Sequence, residues 1–220
     1  MTNKEKIYTG LSVLFVLIVV LGNLLYQKFL SISVFSFYQF DIGAGAILYP
    51  LTFFITDLIA EFYGKEKASF CVKLAVLMNI VTIIIITVIR VLPAAEWSPV
   101  DDNLFNQVFG LYWLAFIASV LACYVSQKID IILYLWIRKK TDNQKLWLRS
   151  NGSTAISLLI DTVIVITILT IFGIIPYDQM WQLIWHSYGY KLFFTLLSTP
   201  IFYLAFYLIT FFINKGLKHA

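Results

Sequence analysis

Asp57 and Glu61 stand four residues apart in the run Tyr49-Pro50-Leu51-Thr52-Phe53-Phe54-Ile55-Thr56-Asp57-Leu58-Ile59-Ala60-Glu61, whose other members are mostly apolar. That spacing puts both carboxylates on one helix face, which Phe53 and Pro50 extend. An acidic wall of this kind accepts hydrogen bonds from a donor-rich ligand or holds a cation, and without either the two charges repel. Glu61 is also four residues from Lys65, so an ion pair at a helix end is its alternative reading.

A second polar group gathers around Asp161, with Ser157, Thr154 and Ser153 on or near its face and Arg149 shortly before them. Ser150 or Asn151 is placed to cap the helix that follows, and Arg149 reads equally well as a cytoplasmic anchor. Ser126-Gln127-Lys128-Ile129-Asp130 and Ser157-Leu158-Leu159-Ile160-Asp161 share the pattern Ser-x-x-Ile-Asp, as repeated elements of transporters do. Asn23 and Gln27 fall on one face by the same spacing of four, and Asn79 is a further amide in an apolar run. Amides in lipid serve by default as glue between helices. We expect Asp57 and Asp161 to face one cavity between the second and fifth spans, supplemented by Asn23, Asn79 or Arg149.

The elements that must position these residues follow from composition. Of 220 residues 60% are apolar and 13% charged, about half the charge of a soluble domain, so lipid is the solvent for most of the chain. Apolar stretches long enough to cross a bilayer lie near 8–27, 44–62, 73–92, 109–130, 153–173 and 191–213. Runs such as Val81-Thr82-Ile83-Ile84-Ile85-Ile86 show no alternation, which excludes a transmembrane barrel. The expected fold is all-α, a bundle of six helices forming one domain over 1–220. The stretch from Val108 to Ile137 would be about 45 Å long as a helix, so its part from Ser126 onward is expected to break, tilt or project.

Twelve of the 16 basic residues, among them Lys4, Lys65, Lys67, Arg138 and Lys145, fall on one side of this topology. Both termini are therefore read as cytoplasmic. Lys28, Arg90 and Lys191 are left near outer helix ends, and Trp181, Trp185, Tyr188 and Tyr190 read as an interfacial belt. The first span begins as a secretory signal would, but a weak cleavage site and continuing apolar sequence favour a retained helix. Cys71 and Cys123 lack partners at metal-ligand spacing and read as reduced packing thiols. There is no basic stripe for nucleic acid, and neither a Ser-His pairing nor a His-Glu-x-x-His motif for an intramembrane enzyme. No cofactor and no metal are expected.

Tyr49-Pro50-Leu51-Thr52-Phe53 through Asp57, Glu61 and Tyr63-Gly64-Lys65, followed by Trp147-Leu148-Arg149, Ser153-Thr154 and Ile160-Asp161-Thr162, resemble the queuosine precursor transporter family. The Asn23–Lys28 and Ser126–Asp130 segments match its pattern too, with Gly22-Asn23 and Gln27-Lys28 in place of the commoner Ala-Asn-Lys. The resemblance implies a multi-pass protein of the bacterial inner membrane, with a 7-deazaguanine base as substrate: the 7-cyano or 7-aminomethyl precursor, or queuine. One carboxylate would accept the two adjacent N–H donors of such a base, an amide or Arg would donate to its carbonyl, and Phe53 or Tyr49 would stack on its ring. On this reading the substrate-binding residues are Asp57, Glu61, Asp161, Asn23, Arg149, Asn79, Phe53, Tyr49 and Gln27. The partners are the small molecule and the bilayer, with a second copy of the chain left open and nucleic acid not bound directly. The alternative is the substrate-binding subunit of an energy-coupling factor importer, which would need separate ATPase partners, since the chain has no Gly-x-x-x-x-Gly-Lys loop.

Overall fold

The computed structural model describes residues 2–25, 28–34, 38–109, 113–173 and 175–217. Its helices are α1 (Asn3–Leu25), α2 (Ala44–Val91), α3 (Asp102–Phe109), α4 (Trp113–Lys140), α5 (Leu146–Ile171), α6 (Met180–Leu197) and α7 (Thr199–Leu217), with a 3-10 turn at Tyr177–Gln179. The helical expectation is met with one addition. Between α1 and α2, strands β1 (Phe29–Val34) and β2 (Tyr38–Gly43) form an antiparallel hairpin pairing Phe29 with Gly43 and Val34 with Tyr38. Polar residues alternate along both strands, at Ser31 and Ser33 and at Gln39 and Asp41. This period of two is what a strand requires, and a search for long apolar runs passes over it.

The 48 residues of α2 do not form one rod. Gly64, at φ 81° and ψ 178°, breaks the helical path, a conformation that side-chain-bearing residues avoid. Contacts with α1 give the directions of the two arms. A Cβ built on Gly22 would lie 3.5 Å from the Gly45 carbonyl, and the Tyr63 hydroxyl donates to the Lys4 carbonyl at 2.8 Å, so residues 44–63 run antiparallel to α1. The Tyr8 hydroxyl donates to the Lys67 carbonyl, Cys71 lies against the Ser12 carbonyl, and Asn23 meets Asn79, so residues 65–91 run parallel to it. The chain reverses at Gly64, and α2 is a helical hairpin folded on α1. Its core holds Phe15, Ile18, Ile55, Ile59, Ala68, Cys71 and Val72.

Among the described residues four helices are long and apolar enough to cross a membrane, and a bent pair is a fifth candidate. That pair corrects the last span. Instead of one helix over 191–213, α6 ends at Leu197 and α7 leaves at 45°, with Pro200 unable to continue the ladder of α6.

Of the break, tilt or projection expected of α4 from Ser126 onward, the break does not occur. The helix continues unbroken through Ser126 to Lys140, and Ser126, Gln127, Asp130 and Tyr134 on it are fully buried. The length surplus was real, but the polar residues sit inside the bundle, where neighbouring helices satisfy them. α5 begins at Leu146, so Ser150 and Asn151 are interior and neither caps it; the capping position is Lys145, with left-handed dihedrals. Asp161 consequently lies beyond the middle of its helix.

Candidate functional site

The first arm of α2, α4 and α5 meet along a polar seam. Side chains spaced by about one helical turn on each helix meet at successive levels, which keeps polar atoms off the lipid-facing surface. Contacts match residues 49 to 61 of α2 with 126 to 134 of α4 in the same order, and with 161 to 149 of α5 in reverse. Three rungs result.

The first rung is Asp161. The Tyr49 hydroxyl and Lys191 Nζ both donate to its carboxylate, the latter at 2.8 Å, and Ser126 Oγ is at 3.5 Å. Lys191 Nζ also stands 4.4 Å from the centroid of the Tyr49 ring and 3.4 Å from Thr162 Oγ1. Lys191 is thus buried against α5, not exposed at an outer helix end. Its place near the start of an apolar run hid the role, since a basic residue there reads first as an anchor.

The third rung is Glu61. Arg149 Nη2 donates to Glu61 Oε1 at 2.7 Å, the Tyr134 hydroxyl to Oε2 at 3.0 Å, and Arg138 Nε is 3.7 Å from Oε2. Arg149 also donates to the Asn143 carbonyl at 2.8 Å and Arg138 Nε to Asn143 Oδ1 at 2.7 Å. These bonds hold the connection between α4 and α5, where Asp142, Asn143 and Lys145 all have positive φ, a conformation sustained only by surrounding contacts. Glu61 pairs with Arg149 and Arg138 rather than with Lys65.

Between them lies a rung with no cation. Asp57, 1% exposed, and Asp130, 0% exposed, are neighbours across the seam between α2 and α4. Ser150 Oγ donates to Asp57 Oδ2 at 2.5 Å. The hydroxyls of Ser153, Thr154 and Ser157 stand beside Asp130, but Ser153 and Ser157 donate to the carbonyls of Ser150 and Ser153. Among the described residues no hydrogen bond reaches Asp57 Oδ1 or either oxygen of Asp130. Buried carboxyl oxygens are ordinarily satisfied, because leaving one unmet costs about 1–3 kcal/mol or more.

The sequence signal for Asp130 was its match to Asp161 in the Ser-x-x-Ile-Asp pattern. Asp130 is not among the residues that the sequence assigns to the site. Gln127, also unassigned, bridges α4 to α2, donating to Thr52 Oγ1 at 3.1 Å and accepting from Thr56 Oγ1 at 2.8 Å.

A narrow cleft opens beside the middle rung, walled by Phe53, Phe54 and Phe202 and by Ser150 and Thr154. Ser150 therefore touches both the cleft and Asp57, and Thr154 both the cleft and Asp130. Phe53 lies 5.7 Å from the Tyr49 ring, centroid to centroid. Asp57 and Asp161 share the seam but not a rung.

Asn23 and Asn79 lie elsewhere, in a network joining α1, α2 and α4. Asn23 Nδ2 donates to Asn79 Oδ1 at 2.9 Å, Ser119 Oγ to Asn23 Oδ1 at 2.6 Å, and Asn79 Nδ2 to the Ala75 carbonyl at 2.8 Å. Gln27 lies outside the described residues. No group of three or more His, Cys, Asp or Glu that could hold a metal ion occurs among the described residues.

Residues 43–205 match the family model described as "Putative vitamin uptake transporter". A relative named "Probable queuosine precursor transporter" from Bacillus subtilis (strain 168) is 32% identical over 167 residues, which are 73% of this chain and 70% of that protein. No solved structure matches.

Proposed function

Since the chain belongs to the putative vitamin uptake transporter family and is a multi-pass membrane protein, we propose that it imports a queuosine precursor, a 7-deazaguanine base, across the bacterial inner membrane. The site of recognition is the Asp57–Asp130 rung. The reading takes six crossings with both termini cytoplasmic: α1, the two arms of α2, α4, α5, and α6 with α7 as one bent span. The reversal at Gly64 supports it by bringing Lys65 and Lys67 to the end of the bundle that carries Lys4, Arg138 and Lys145.

The observation that carries the reading is the set of buried carboxyl oxygens without donors. A 7-deazaguanine presents a carbonyl, a ring N–H and an exocyclic amine in a row. The two unmatched oxygens of Asp130 suit the adjacent N–H donors as a bidentate, charge-assisted pair. Of the two acids Asp130 suits the acceptor role better, because one Asp57 oxygen already serves Ser150. Phe53, wholly buried at the edge of the cleft, is placed to cover the ring. Glu61, Arg149, Asp161 and Tyr49 act in this account as the rungs that hold the seam, and Asn23 and Asn79 as interhelical glue.

The test is uptake of labelled queuine by proteoliposomes holding the purified chain alone, with competing bases. The 7-aminomethyl and 7-cyano bases should compete. An analogue lacking the exocyclic amine should compete roughly a hundredfold less well, since it leaves a buried acceptor unmet. Equal competition by that analogue contradicts the site, and uptake that appears only with an added ATPase favours the energy-coupling factor reading.

A further inference from the structure

Building on the site reading above, we propose that Asp57 and Asp130 share one proton, that the singly protonated pair is the form that binds the base, and that base import is driven by protons.

The charges around the pair leave it alone among the described residues. On α2 the next acid is Glu61, occupied by Arg149 of α5 and Arg138 of α4. Lys191 of α6 is occupied by Asp161. Tyr134 of α4 donates to Glu61, and Ser150, Ser153, Thr154 and Ser157 of α5 are neutral. Two carboxylates side by side at this depth, with no cation, cannot both stay ionised: burying each costs several kcal/mol, and their mutual repulsion adds to it. One proton turns the repulsion into an O–H···O hydrogen bond.

The same proton completes the match to the ligand. Asp130 as carboxylate accepts the ring N–H and the amine, but the carbonyl beside them needs a donor; an ionised Asp57 has none, and the hydroxyls of Ser153 and Ser157 are already given to the backbone. Asp57 has one oxygen on Ser150 and one without a partner. With the proton on Oδ1, Asp57 donates to the carbonyl. A fully ionised pair lacks this donor, and a doubly protonated one lacks the charged acceptor. Proton and base therefore bind cooperatively, and each raises the affinity for the other by the same factor. Acid outside favours loading; a more alkaline interior favours loss of the proton and, with it, of the base.

Three measurements test this, and each has its own meaning. Without any base, infrared difference spectra of the wild-type chain should show the carbonyl stretch of a buried carboxylic acid, absent in Asp57→Asn. No such band overturns the shared proton, whatever the base does. In proteoliposomes, an inward gradient of one pH unit should raise accumulation of queuine about tenfold at one proton per base. Indifference to the gradient, or a sodium gradient acting in its place, overturns the coupling and leaves the site reading standing. Wild-type affinity should fall as pH rises, whereas Asp57→Asn, whose amide still donates to the carbonyl, should bind several-fold more weakly and without pH dependence. A variant that keeps the wild-type pH profile overturns the role of Asp57, and failure of the wild-type chain to bind any of the three bases overturns the site and the coupling together.

Discussion

Lys191 Nζ lies 2.8 Å from Asp161 Oδ2, with both side chains buried, so α6 is fastened to α5 by an ion pair inside the bundle. Removing one partner of such a pair strands the other's charge. Lys191→Met should therefore destabilise the protein by about 3–5 kcal/mol, and adding Asp161→Asn should restore most of the loss. Thermal unfolding in detergent measures it, and losses that simply add would show that the two side chains do not depend on each other.

Arg149 divides its donors among Glu61, Tyr134 and the Asn143 carbonyl. A lysine has the charge but not the planar fork, so Arg149→Lys should cost about 1–3 kcal/mol of stability. Its affinity for the base should change less than that of Asp130→Asn. A variant of wild-type stability that has lost binding would make Arg149 a ligand after all.

Gly64 holds the reversal of α2 at φ 81°, and a Cβ built there meets nothing within 4 Å. The penalty for Gly64→Ala is thus conformational only, about 1–3 kcal/mol. It should appear as a lowered unfolding temperature with base affinity retained. No change in unfolding temperature would mean that the turn can be made another way.

Asn79→Leu removes the acceptor for Asn23 and should cost about 0.6–1.7 kcal/mol, the range of hydrogen bonds between helices in membranes. Affinity for the base should stay within about twofold. A larger loss of binding would return Asn79 to the site, where its amide was first expected.

What the sequence made legible was the part governed by transfer energy. Long apolar runs marked the helices, the basic residues Lys65 and Lys67 marked the turn that Gly64 makes, and the cost of a charge in lipid singled out Asp57 and Asp161. Partners were harder to read, because they depend on how helices pack. Asp130 and Lys191 both lie near the ends of apolar runs, where a charge reads as solvated, and it is the packing of α4 and α6 against α5 that buries them. Ser150 has the chemistry of a cap, yet Leu146 starts the helix a turn earlier and turns that hydroxyl toward Asp57. The hairpin at Phe29–Val34 and Tyr38–Gly43 follows a period of two that a span search does not look for.

In the site proposed above, the unmatched oxygens of Asp130 receive the N–H edge of the base. Calorimetric titration of queuine into purified Asp130→Asn tests it most directly. Affinity should fall at least tenfold, as expected when charge-assisted hydrogen bonds worth about 1.5–3 kcal/mol are lost, with stability in detergent unchanged or raised because a buried charge is gone. Wild-type affinity in that variant would contradict it.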